Sequence, residues 1–152
     1  MQHCARALLL TPEGLILLMK IRGWKRELWI TPGGRVNPHE DSIAALSREL
    51  FEETGQRNFA INGLVWTRQG TFLIKDRSIE EREEFFHVPT ERFEPSTAGF
   101  EAEEVNQHLG FRWWSVAELE ATTDFMVPAR LAHHLRGLLE AGPPPTPVDV
   151  SG

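Results

Sequence analysis

Residues 33–56, GGRVNPHEDSIAALSRELFEETGQ, constrain the fold of this 152-residue chain more than any other segment. The segment begins with glycine, asparagine and proline, which are typical of a tight turn. Asp41 or Ser42 can cap a helix that follows, and Gly55 can end it in a left-handed conformation. Apolar residues recur between these limits at helical spacing, namely Ile43, Leu46 and Leu50. The segment therefore predicts a loop followed by a helix.

The predicted helix gathers negative charge on one face. At about 100° per residue, Glu49, Glu52 and Glu53 fall within an arc of about 100°, beside the apolar stripe. Each like-charge pair costs roughly 0.2–0.5 kcal/mol, so the cluster favours a bound cation. Grouped carboxylate oxygens suit Mg²⁺ or Mn²⁺, and Arg48 can hold Glu52 through an i,i+4 ion pair. Because glycines let the backbone approach an ion or a phosphate, the segment predicts a metal–phosphate site.

The spacing of these residues resembles the signature of the Nudix hydrolases. The matching pattern reads Gly34, five residues, Glu40, seven residues, Arg48-Glu49-Leu50, one residue, Glu52-Glu53, one residue, Gly55. The family usually has an aliphatic residue after the final glycine, where this chain has Gln56. A surface helix carrying ion pairs is the alternative interpretation, but it would not require both glycines and Glu40.

The resemblance implies a fold and a reaction. The fold would be of the α/β (α+β) class, a Nudix-type α/β/α sandwich with a mixed central sheet; periodicity alone predicts only a mixed α/β domain. The reaction would be hydrolysis of the pyrophosphate bond of a nucleoside diphosphate linked to another moiety. Water would attack phosphorus, with Mg²⁺ or Mn²⁺ as the cofactor. The chain would thus be a pyrophosphohydrolase.

The resemblance also assigns roles to the signature residues. Glu52 and Glu53 would be the first metal ligands, with Glu49 as a third ligand or as the catalytic base, and the Gly34 carbonyl would complete the shell. Arg48 would orient a glutamate. Three further residues would support the loop and the helix: Gly33, Glu40 and Gly55.

Two loops supply further candidate residues. The basic segment 22–27, RGWKRE, leads into the signature strand. Its Arg22 and Arg26 can neutralise substrate phosphates and Trp24 can stack on a base or ribose; a solvated hairpin loop is the alternative. Nudix hydrolases often supply one more acidic residue from a loop ahead of the last strand. Glu104 is the candidate there for a metal ligand or base and Glu101 for substrate binding, with solvated loop carboxylates as the alternative.

Composition narrows the class of partner. A formal net charge of −6 without a basic stripe argues against a long nucleic acid and favours a small nucleoside diphosphate derivative. Cys4 is the single cysteine, which excludes an internal disulfide. No segment approaches a membrane span, so we expect a cytoplasmic protein, either a monomer or a homodimer.

The sequence is also compatible with two other functions. A Nudix-like domain can act as a nucleotide or metabolite sensor without hydrolysis, although sensors usually lose the acidic triad that this chain retains. An isoprenoid diphosphate isomerase has a similar fold but relies on an active-site cysteine, for which Cys4 is badly placed.

The remaining segments predict further elements. Residues 4–10 and 15–21 are apolar runs around a turn and predict a hairpin. Strands are also predicted at 59–67, 70–74, 85–88 and 111–114, a loop at 79–82 and a final helix at 128–141. Residues 1–141 then form one domain, and the proline-rich tail 142–152 is predicted to be disordered.

Overall fold

The computed structural model describes residues 1–23, 25–74, 76–96 and 108–151. It confirms a mixed α/β fold. In chain order the elements are β1 (Gln2–Leu10), β2 (Ile16–Arg22), β3 (Glu27–Ile30), β4 (Gly33–Arg35), α1 (Ser42–Thr54), β5 (Leu64–Ile74), β6 (Arg77–Pro89), β7 (His108–Trp114), α2 (Val116–Ala121), β8 (Met126–Val127), α3 (Leu131–Ala141) and β9 (Val148–Asp149).

The strands form a mixed sheet in the order β8-β3-β2-β1-β6-β5-β9, with β4 paired to β1 and β7 paired to β2. The predicted hairpin of β1 and β2 is confirmed, with Leu10 opposite Ile16. On its other edge, β1 runs parallel to β6 from Gln2 to Leu10. The first strand therefore lies in the middle of the sheet, which explains its apolar sequence.

The side chains of β1 alternate between two hydrophobic clusters, one on each face of the sheet. Leu8 and Leu10 pack in the cluster that contains α3, through residues such as Leu135. Leu9 packs in the opposite cluster, which contains α1 through residues such as Leu46. Helices thus cover both faces, as the predicted α/β/α sandwich requires.

Helix α1 has the predicted capping residues. Asp41 Oδ1 accepts a hydrogen bond of 2.8 Å from the Ala44 amide, and Gly55 ends the helix with a φ of +78°. The prediction that Ile43 joins the apolar stripe is wrong, because its side chain is 49% exposed whereas Leu50 is fully buried. Both lie at nearly the same angle around the helix. Ile43 differs in lying in the first turn, next to the exposed residues 37–39.

The strand predictions between residues 59 and 89 need correction. The two strands predicted at 59–67 and 70–74 are one strand, β5, and residues 59–63 lie outside it. The predicted loop at 79–82 belongs to β6. The two strands pair without interruption past Gly70, which lies opposite Glu81. The glycine and the charged run do not break the ladder, because the partner strand supplies the hydrogen bonds for both segments.

The C-terminal predictions also change. The final helix begins at Leu131 instead of residue 128, and the Leu131 amide donates to the carbonyl of Pro128 over 3.1 Å. The predicted disorder of the tail is wrong for β9, which runs parallel to β5. Val150 is 1% exposed and its amide donates to Thr67. Local composition could not reveal that the edge of β5 is available to pair with the tail. No described helix is long and apolar enough to cross a membrane.

Candidate active site

The pair Gly33-Gly34 opens strand β4 and is called the glycine turn below; it lies against the C-terminal half of α1. Gly33 has a φ of +136°, and a Cβ at this position would lie 2.1 Å from the carbonyl oxygen of Ala5, so glycine alone fits here. The Gly33 amide donates a hydrogen bond of 2.7 Å to Oε1 of Glu53, whose side chain is buried. Glu53 is therefore oriented by the backbone of the turn.

Glu49 lies against the second glycine of the same turn. A Cβ at Gly34 would lie 2.5 Å from Cδ of Glu49 and 2.7 Å from both of its carboxylate oxygens. The missing side chain therefore leaves the space that this carboxylate occupies. Arg48 Nη1 donates to Glu49 Oε1 over 2.8 Å and lies 3.7 Å from Oε2 of Glu52, which is the predicted i,i+4 ion pair. The structure thus brings all three predicted carboxylates to the junction of turn and helix.

Arg48 also ties the helix to the loop through Glu40. Its Nη2 donates to Glu40 Oε1 over 2.5 Å and to the Arg35 carbonyl over 3.0 Å. Glu40 Oε1 in turn accepts from the Asn37 amide over 3.0 Å. The hydrogen bonds from Arg48 and Asn37 hold the pKa of Glu40 below its ordinary value, and the bond to Glu40 raises the pKa of Arg48. Both groups therefore stay charged over a wide range of pH.

Sequence reasoning missed a cluster of three charged residues in which Glu83 is buried and the two arginines are partly exposed. Arg6 on β1 and Arg68 on β5 both donate to Glu83 on β6, over 2.7 Å and 2.6 Å. Arg6 Nη1 also donates to the Gly33 carbonyl over 3.1 Å. One signal was present, because Arg6 is the single charged residue in an otherwise apolar run. Its partners are distant in sequence, so the pattern could not identify them.

The predicted loop residues lie apart from this set of contacts or outside the described residues. Arg22 is exposed at the end of β2, opposite Glu27 of β3. The guanidinium carbon of Arg26 lies 3.9 Å from the ring centroid of Phe125, so this cation stacks on an aromatic ring. Their part in substrate binding stays a prediction. Three other candidates lie outside the described residues, namely Trp24, Glu101 and Glu104.

The donor set fits a hard divalent cation, since it consists of carboxylate oxygens beside an open glycine backbone. In the part of the chain that the structure describes, no three acidic, histidine or cysteine side chains are already gathered around one point. Glu49 is turned to Arg48 and Glu53 to the Gly33 amide. Each contact uses one carboxylate oxygen, Oε1, so coordination of an ion through Oε2 would leave both contacts in place.

Comparison with known proteins assigns the chain to a family. The NUDIX domain model matches residues 1–135. A curated relative, the 8-oxo-dGTP diphosphatase of Buchnera aphidicola subsp. Acyrthosiphon pisum (strain APS), is 50% identical over 32 residues, which is 21% of this chain and 26% of that protein.

Solved structures show the same fold along most of the chain. The E. coli ORF135 protein is 25% identical, with 95% of this chain and 94% of that chain covered and a TM-score of 0.67. The MutT NUDIX hydrolase from Burkholderia pseudomallei is 20% identical, with 88% of this chain and 96% of that chain covered and a TM-score of 0.63. The C. elegans Ap4A hydrolase is 15% identical, with 92% of this chain and 98% of that chain covered and a TM-score of 0.64. Nudix hydrolases generally use divalent metals. With the family model spanning nearly the whole length, and with the signature glutamates gathered at one turn, the chain belongs to the Nudix hydrolase family.

Proposed function

We propose that the chain hydrolyses the pyrophosphate bond of a nucleoside diphosphate linked to another moiety, with Mg²⁺ or Mn²⁺ as the cofactor. The observation that carries the proposal is the placement of Glu49 and Glu53 against the glycine turn, with Glu52 paired to the same arginine as Glu49. The net charge of −6 favours a small substrate whose own negative charge is neutralised by the ion.

A divalent ion bound at this junction would supply Lewis-acid neutralisation of the phosphate oxygens and would lower the pKa of a bound water. Glu52 and Glu53 would hold the ion. Glu49 would be the third ligand, or the base that accepts the proton of the attacking water. The Gly34 carbonyl is a further candidate ligand, and Arg48 would orient Glu49 and Glu52.

The proposed substrate classes rest on the comparisons with two other proteins. The short likeness to an 8-oxo-dGTP diphosphatase makes nucleoside triphosphates the first class to test, including oxidised purine nucleotides. The fold shared with an Ap4A hydrolase adds dinucleoside polyphosphates, and nucleotide sugars complete the panel. Each of these compounds contains a pyrophosphate bond that the proposed chemistry can cleave.

The test is product release from this panel with Mg²⁺, with Mn²⁺ and with a chelator. We expect metal-dependent cleavage of one class into two phosphate-bearing products. In ¹⁸O-labelled water, one product should carry the label on phosphorus, because water attacks that atom. Metal-dependent binding of one compound without cleavage of any would instead favour the sensor function.

A further inference from the structure

A buried ion cluster lies on the sheet next to the glycine turn. Glu83 accepts hydrogen bonds from two arginines, Arg6 through Oε2 and Arg68 through Oε1. The side chain of Glu83 is 4% exposed and that of Arg6 is 12% exposed. Removing such charges from water is expensive, and apolar residues often replace a buried ion pair without loss of stability. Stability alone therefore does not explain why these charges lie at this position.

Arg6 also contacts the backbone of Gly33, and the structure describes no such contact for Arg68. The guanidinium donates through Nε to Glu83 and through Nη1 to the carbonyl oxygen of Gly33, which is paired with Arg6 in the β1–β4 ladder. A planar guanidinium holds two acceptors at a fixed relative angle, which a lysine ammonium does not. Glu83 thus fixes the orientation in which Arg6 meets the turn.

Both backbone polar groups of Gly33 are hydrogen-bonded to side chains. Its carbonyl accepts from Arg6 over 3.1 Å, and its amide donates to Glu53 over 2.7 Å. The positive charge of Arg6 also lies close enough to Glu53 that this carboxylate contributes to raising the pKa of Arg6, although Glu83 contributes more and burial opposes both. A chain of direct contacts therefore runs from Glu83 through Arg6 and Gly33 to Glu53.

We propose that Arg6 is a positioning residue for Glu53: oriented by Glu83, it fixes the Gly33 backbone and thereby the carboxylate of a metal ligand. The inference rests on the proposed function, because Glu53 is a metal ligand only there. Arg6 acts through Gly33, in the way that outer partners orient the ligands of a metal ion.

The cluster contains its own matched control. Arg6→Met and Arg68→Met each remove one arginine from Glu83 and leave the other in place, so the buried carboxylate keeps one partner in both variants. Only Arg6→Met also removes the contact with Gly33. If Arg6→Met does not fold, Arg6→Met/Glu83→Gln is compared with Arg68→Met/Glu83→Gln, since the glutamine leaves no buried negative charge.

Two measurements follow each variant. The first is hydrogen exchange of the Gly33 amide by NMR, in protein without added metal, where we expect at least ~10-fold faster exchange in Arg6→Met only. The second is the Mn²⁺ dissociation constant by titration of the folded protein. We expect Arg6→Met to weaken Mn²⁺ binding about 10- to 100-fold, the range found when outer partners of metal ligands are lost. Arg68→Met should stay within ~3-fold of the unmodified protein.

The outcomes separate this inference from the proposed function. Equal effects of the two methionine variants, or unchanged Mn²⁺ affinity in Arg6→Met, would overturn the positioning role while leaving the hydrolase untouched. Failure of the unmodified protein to bind Mn²⁺ would remove the proposed metal site, and the inference with it.

Discussion

The amide of Gly33 donates to Oε1 of Glu53 across 2.7 Å, which joins the turn after β3 to the penultimate residue of α1. Gly33 reaches this position with a φ of +136° and with no room for a Cβ beside the Ala5 carbonyl. Gly34 faces a different neighbour, since its hydrogen points at the carboxylate of Glu49. The two adjacent glycines therefore serve different purposes, the first for the backbone and the second for the site.

Gly34→Ala should reduce activity more than stability. The three heavy atoms nearest the new methyl group all belong to the flexible end of Glu49, which can rotate aside. We expect kcat to fall about 10- to 100-fold, as for loss of a metal ligand's correct placement, with a free energy of unfolding within ~0.5 kcal/mol of the original.

Gly33→Ala provides the contrast, because its methyl group would meet the backbone of Ala5. It should destabilise the fold by about 2 kcal/mol or more, measured by urea unfolding. Similar losses of stability in both variants would contradict the division of roles between the two glycines.

Arg48→Met should affect both the junction and the reaction. The guanidinium bonds to Glu40 and Glu49 and lies near Glu52, so its loss leaves three carboxylates without their shared cation. We expect a stability loss of about 1 kcal/mol in chelator and at least a ~10-fold loss in kcat. Arg136→Met is the matched control, since Arg136 pairs with exposed glutamates on α2 and α3. A stability loss in Arg48→Met with unchanged kcat would leave Arg48 a structural role only.

Glu84 should make stability depend on pH in the acid range. Burial alone would raise the pKa of Glu84, but hydrogen bonds from Ser42 and His3 outweigh it and hold the pKa below its ordinary value. A lowered folded-state pKa stabilises the fold above the unfolded value, and that stability is lost as the pH falls through the folded value. The urea concentration at the midpoint of unfolding should therefore fall as the pH decreases below about 4.5. In Glu84→Gln this decrease in stability should be smaller. Glu91→Gln is the control, because Glu91 is exposed. If stability depended as little on pH in Glu91→Gln as in Glu84→Gln, the assignment of the pH dependence to Glu84 would be wrong.

Local signals were enough to predict the helix that carries the site. The cap at Asp41, the apolar pair Leu46 and Leu50 and the terminator Gly55 all act within a few residues of one another. The proximity of Glu49 to Gly34 was implied by the family signature, which puts both in one site. These features depend on sequence neighbours, which a pattern records directly.

Features that depend on distant partners could not be predicted in this way. Residues 79–82 look like a polar loop until β1 and β5 are placed on either side of them. Val150 looks like part of a disordered tail until the edge of β5 is known. Arg6 was not recognised as part of the site because Glu83 lies 77 residues away in the chain. In each case the stabilising partner comes from another element.

The measurement that tests the central claim most directly is kcat of Glu53→Gln, with Mg²⁺ and the substrate class that the panel identifies. Glutamine keeps the side-chain oxygen that accepts from Gly33 but removes the charge of a metal ligand. The account predicts an unchanged fold with a loss of at least ~100-fold in kcat, while the exposed control Glu140→Gln keeps full activity. A kcat for Glu53→Gln within ~3-fold of the unmodified protein would contradict the metal site on α1.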